Sequence, residues 1–169
     1  MEFYMKLPRN KKEFTVFMLV ISFISVNIIA PLITCFEIGF QLSAWVETIK
    51  VIPFIWLCVI ALVLLTYKPV ELMKGKIVAK DDSFNAHIIV DTLCTVLLMS
   101  MCMTVIGSWI GQRAVTLEPI QLFFYKWPRN FAIAFGVETF IAQPIARFIM
   151  LKMHQLQDKK LVSVESEAV

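Results

Sequence analysis

Glu138, Gln143 and Arg147 lie inside an apolar run of helix length, Trp127 to Lys152, which reads WPRNFAIAFGVETFIAQPIARFIMLK. They are the residues best placed to do chemistry. An ionised carboxylate at the centre of a membrane-spanning helix costs about 2.5–3.5 kcal/mol on insertion scales, so Glu138 must be protonated, paired or turned toward water. Burial favours the neutral form of a carboxyl group. A carboxyl that takes up a proton on one side of a membrane and releases it on the other is what proton-coupled transport requires; the bland alternative is a structural hydrogen bond. Gln143 and Arg147 are four positions apart and share a helix face. Arg147 is nine positions from Glu138, half a turn out of phase, which disfavours a direct pair.

Two further residues join this set. Asn27 sits in the first apolar run, on a face with Ala30, Pro31 and Thr34, where it either hydrogen-bonds to a neighbouring helix or lines a substrate path. Asp91 falls in the first turns of the third run, as a favourable charge at a helix N-terminus or as a partner for Arg147. Arg147 alternatively snorkels to the headgroups. Expected to share one interior are Glu138, Asn27, Gln143 and Asp91.

Enzyme chemistry has little support. The chain has no nucleophile elbow, no HExxH and no phosphate-cradling glycine loop, and His87 and His154 stand apart from any metal-ligand spacing. Cys35, Cys58, Cys94 and Cys102 lie in or beside apolar segments without a CxxC, and read as free thiols. The expectation is a protein that is not an enzyme and uses no cofactor or metal. The Met-rich LLMSMCMT stretch reads as adaptable packing, with a soft-metal relay as the alternative.

Position for these residues must come from helices. With 59% hydrophobic and 17% charged residues, the 169-residue chain is far from the roughly 45–50% and 25% of a soluble domain. Four apolar runs stand out: Phe14 to Phe36, Val51 to Tyr67, Ala86 to Ile110, and Trp127 to Lys152. The first follows Lys6, Arg9, Lys11 and Lys12, yet is too long for a signal-peptide core and is read as retained. Glu37 to Lys50 reads as a polar connection carrying Trp45. Pro53 is placed in the first turn of the second helix, Trp56 and Tyr67 are read as belt aromatics, and Pro69 is placed at that helix's end. Lys68 to Asn85 is the boundary between halves. Ser100, Thr104, Gly107 and Ser108 form a small-residue seam in the third run. The LEPIQLFFYKW stretch before the fourth run reads as an interfacial amphipathic segment, and the tail beyond Lys152 as a mobile one.

Basic residues set the expected topology. They gather in the N-terminal segment, in the central loop (Lys68, Lys74, Lys76, Lys80) and at the C-terminal end (Arg147, Lys152, Lys159, Lys160), while the other two connections share only Lys50, Arg113, Lys126 and Arg129. That asymmetry puts both termini and the central loop in the cytoplasm of a multi-pass protein of the cell membrane. It also argues against nucleic acid as a partner. Residues 1–80 and 81–152 then form two hairpins of the same orientation, with 153–169 a cytoplasmic tail. The halves look alike, pairing Trp45 with Trp127 and Pro69 with Pro144.

The opening LPRNKKEFTVFMLVISFISVNI, the LLMSMCMT segment, and above all WPRNFAIAF followed by AQPIARFIM resemble the bacterial membrane family catalogued as domain of unknown function 2798. That resemblance implies a unit built as a two-helix hairpin, often in tandem, and supplies no activity. The expected fold is an all-α membrane protein with four transmembrane helices arranged as two parallel hairpin repeats. The leading functional expectation is a small proton-coupled transporter of an unidentified small molecule, working as a homo-oligomer because four helices enclose little volume. Its alternatives are a non-transporting membrane scaffold or accessory subunit, and a headgroup-binding sensor using Arg147 and the central lysines.

Overall fold

The computed structural model describes residues 8–79 and 81–167. Lys6 and Lys80, both counted in the charge distribution, lie outside the described residues, as do Ala168 and Val169. The described chain is helical throughout: α1 (Lys11–Ile38), α2 (Leu42–Ile77), α3 (Phe84–Gln112), the single turn α4 (Glu118–Gln121), α5 (Phe123–Val137), a π-helical turn (Glu138–Ala142) and α6 (Gln143–Glu167). Helix α5, the π turn and α6 form one continuous rod. Four stretches are long and apolar enough to cross a membrane: Lys11–Ile38, Leu42–Ile77, Ala86–Gln112 and Phe123–Asp158. This is an all-α protein with the composition of a multi-pass membrane protein.

Local chemistry explains the helix ends. Asn10 caps α1, its side chain accepting the Glu13 N–H at 2.9 Å, while the Glu13 carboxylate takes the Arg9 N–H at 2.7 Å. The arrangement resembles a capping box displaced by one residue, since the carboxylate takes the N–H before the capping residue and not that residue's own. Ser83 caps α3 by accepting the Ala86 N–H at 3.3 Å. Between α1 and α2 the chain reverses within three residues, and Gly39 at φ +100° occupies a conformation that a side chain would strain.

Several boundaries differ from the sequence expectation. The polar connection after the first helix shrinks to residues 39–41, because Leu42 to Lys50 already belongs to α2. That helix has 36 residues, about 54 Å at 1.5 Å per residue, well beyond a hydrocarbon core of about 30 Å. Pro53 is therefore mid-helix, not in a first turn, and Pro69 is passed without ending α2. The LEPIQLFFYKW stretch divides into α4 and the start of α5. Beyond Lys152 the chain stays helical, α6 continuing to Glu167.

Packing makes a closed ring. Helix α1 touches α2 and the fourth rod, and α3 touches the same two, while no diagonal pair is in contact among the described residues. One core cluster joins Val26, Val51 and Ile55 with Met103 and Ile110 around them; another joins Ile21 to Ala142 and Ala146. The ring places the beginning of α1 beside the middle of α6, at His154 and Asp158. All four cysteines are free, with Cys35 and Cys94 buried.

Candidate functional site

The seam between α1 and the fourth rod carries most of the embedded polarity. On α1 the residues Glu13, Phe17, Ile21 and Ser25 recur every four positions, and on the rod Glu138, Ala142, Ala146, Met150 and His154 do the same. Residues at that spacing stack on one helix face. Ala142 and Ala146 are 0% and 1% exposed, and their small side chains let Ile21, Phe17 and Ile24 approach closely. The two antiparallel stripes are polar at their ends and apolar between.

At one end the Ser25 hydroxyl donates to the Glu138 carboxylate. Glu138 opens the π turn, whose defining bond runs from the Gln143 N–H to the Glu138 carbonyl. Pro144 gives a reason for the wide turn: its ring crowds the carbonyl four residues earlier and it has no N–H to donate. Pro31, Pro53 and Pro69 sit in α-helices without such a turn, so proline contributes without sufficing. Isolated π turns are frequent at functional positions. Neither the turn nor the choice of Ser25 as partner was visible in the sequence.

At the other end His154, fully buried, lies 3.0 Å by its Nε2 from Glu13 Oε2. The Asn10 amide adds a 3.0 Å bond to the other carboxylate oxygen, and Arg9 reaches Asp158 at 3.7 Å. The sequence reading set His154 apart from any partner and left Glu13 out of the embedded set. Their separation of 141 positions explains why, since only the closed ring brings the first and last helices together. An acid immediately before the first apolar run was the available signal.

The remaining candidates disperse. Asn27 donates to the Phe23 carbonyl of its own helix at 2.7 Å. Asp91 pairs with Lys74 of α2 at 3.0 Å, not with Arg147. Arg147 donates to Gln143 Oε1 at 3.4 Å, pointing back along the rod toward its N-terminus and away from Lys152 and the chain's end. Of the five, Gln143 and Arg147 are joined, and Glu138, Asn27 and Asp91 each bond elsewhere. Among the described residues, no group of three His, Cys, Asp or Glu side chains could hold a metal.

A second pattern of bonds joins neighbouring helices. Trp127 donates its indole N–H to Ser100 Oγ at 3.0 Å, and that serine donates to the Leu97 carbonyl at 3.0 Å. In the first hairpin the matching bond comes from Trp56, not Trp45: its indole donates to Ser22 Oγ at 3.0 Å, and Ser22 donates to the Leu19 carbonyl at 3.1 Å. Trp56 thus bonds to a neighbouring helix where a belt aromatic was expected. Each hairpin also offers one acid, nine positions before its serine (Glu13, Asp91), to a base on the other hairpin (His154, Lys74). Where α5 begins, Glu37 of α1 lies 3.5 Å from Lys126 and 3.6 Å from Arg129, closing the same seam at its far end.

A family model described as Domain of unknown function (DUF2798) matches residues 85–154, which span α3 through most of the fourth rod. The second hairpin therefore resembles that family, whose description carries no activity. No curated protein and no solved structure matches the chain.

Proposed function

We propose that this protein is a non-transporting membrane scaffold or accessory subunit, not an enzyme, whose embedded polar residues fasten helix to helix. The observation that carries the reading is the bond from Ser25 to Glu138. The carboxyl expected to face a shared interior is engaged across the seam with α1, and Asn27 and Asp91 bond away from it. In lipid, where apolar surface gives helices no reason to associate, small residues and interhelical hydrogen bonds supply the attraction. The seam between α1 and the rod has both. The basic distribution supports cytoplasmic termini in a cell membrane, and the paired indole–serine bonds support two hairpin repeats related by an axis along the membrane normal.

The second reading is proton-coupled transport, favoured by the coincidence of Glu138 with the π turn. One experiment separates them. Proton release is followed from purified, reconstituted protein as cationic and amphipathic compounds are added, for wild type and Glu138→Gln. The scaffold reading expects no ligand-dependent release from either, with the variant altered only in thermal stability. Release from wild type that vanishes in the variant would overturn it and make Glu138 a coupling site.

A further inference from the structure

The fourth rod carries a second polar stripe, beside the seam. Thr139, Gln143 and Arg147 recur every four residues across the π turn and are all half-buried. Two buried side-chain polar atoms stand without a hydrogen-bond partner among the described residues, and both belong to this stripe: the Thr139 hydroxyl and the Arg147 Nε. Buried polar groups are almost always satisfied, so two orphans on one face call for an absent partner. Arg147 also has no carboxylate within 4.0 Å among the described residues, whereas Glu13, Glu37, Lys126 and Arg129 in the neighbouring seam each meet an opposite group.

The unsatisfied groups specify what the partner must be. A guanidinium N–H can only donate, and a hydroxyl is free to do so. The missing group is therefore an acceptor, and beside a guanidinium in a low-dielectric setting it is an anion. Because Arg147 reaches back to Gln143, its guanidinium stands about one further turn, ~5.4 Å of rise, from Thr139. A tetrahedral phosphate can accept from both across such a gap. From Gln143 onward the rod packs on no helix but α1 among the described residues, and Phe140, Pro144 and Phe148, each one position beyond a stripe residue, are exposed; the π turn that carries Thr139 touches both α1 and α3. Lys152 lays its ammonium over the Phe148 ring at 5.6 Å, adding positive charge on the approach.

We propose that Thr139, Gln143 and Arg147 form a binding site for a phosphate group, with Arg147 supplying the charge and Thr139 the second donor. This goes beyond the scaffold reading and does not depend on it. The phosphate arrives on a lipid headgroup drawn down along the rod, or as free phosphate.

Native mass spectrometry of the full chain in detergent tests the site, by titration with phosphatidylglycerol and with the matching diacylglycerol, which lacks the phosphate. The expected result is binding of phosphatidylglycerol at least about tenfold tighter than of diacylglycerol, and loss of that preference in Arg147→Gln, since a charge-assisted bond is removed. Competition by inorganic phosphate would identify the free anion as an occupant; its failure to compete would identify the lipid. Equal affinity for the two lipids, or a preference unchanged in Arg147→Gln, would overturn the site. Should Arg147→Gln fail to fold, Thr139→Val removes only the hydroxyl donor: a severalfold weaker phosphatidylglycerol affinity is expected, and an unaltered one refutes the proposal.

Discussion

Replacing Ser25 by alanine tests whether the seam is held by its polar ends. The substitution removes one hydroxyl and no carbon, so no cavity contributes, and Ser25 is only 8% exposed, so water does not readily take its place. Glu138 loses the donor that its carboxyl engages. An unsatisfied buried acceptor costs about 1–3 kcal/mol, while interhelical hydrogen bonds in membranes average about 0.6 and reach about 1.7 kcal/mol. The membrane values set the scale, so Ser25→Ala should destabilise by ~1 kcal/mol. The assay is reversible unfolding in mixed micelles with rising dodecyl sulfate, followed by circular dichroism, for Ser25→Ala, Glu138→Leu and the double variant. The cycle should return a coupling of about 0.6–1.7 kcal/mol. Ser25→Ala combined with Glu13→Gln is the control. Those sites are twelve residues, about 18 Å, apart along α1, and their effects should add. A Ser25–Glu138 coupling indistinguishable from that control would refute the reasoning.

Three further outcomes follow from the packing. Trp56→Phe and Trp127→Phe each remove one indole donor to a serine that is already bonded to its own helix, so each should cost about 0.5–1.5 kcal/mol, and by similar amounts if the hairpins are equivalent; the same micellar unfolding measures both. Ala146→Leu forces a larger side chain into the contact with Ile21 and should destabilise by about 1–3 kcal/mol, visible as a lowered midpoint. Gly39→Ala meets no crowding, yet φ +100° is unfavourable for alanine, so a loss of at least ~1 kcal/mol is expected, read as a lower Tm in detergent.

Much of the architecture was legible because it is local. Hydropathy located four spans. Boundaries were less legible: polar residues such as Glu47 and Lys50 mark where a helix leaves the hydrocarbon, which is not where it ends, and so α2 and α6 outran their apolar cores. Proline misled for a related reason. Pro69 lacks one donor, but the rest of a long helix outweighs that loss. At the candidate site, Glu138 and Arg147 were conspicuous as charges in apolar runs, and the link between Gln143 and Arg147 was readable from their spacing.

Partners were another matter. Ser25 is 113 positions from Glu138, and Glu13 is 141 from His154; no periodicity within one helix reports on such pairs. They exist because the ring of helices sets the first against the last, with Ala142 and Ala146 small enough to let polar groups at the seam's ends meet. The sequence by itself determined that this chain makes four apolar helices and buries a few charges among them, since hydrophobicity and helix propensity act residue by residue. Only the tertiary structure decided which charge meets which donor and which are left unmet, because a hydrogen bond depends on ångström-scale distances that helix packing alone sets.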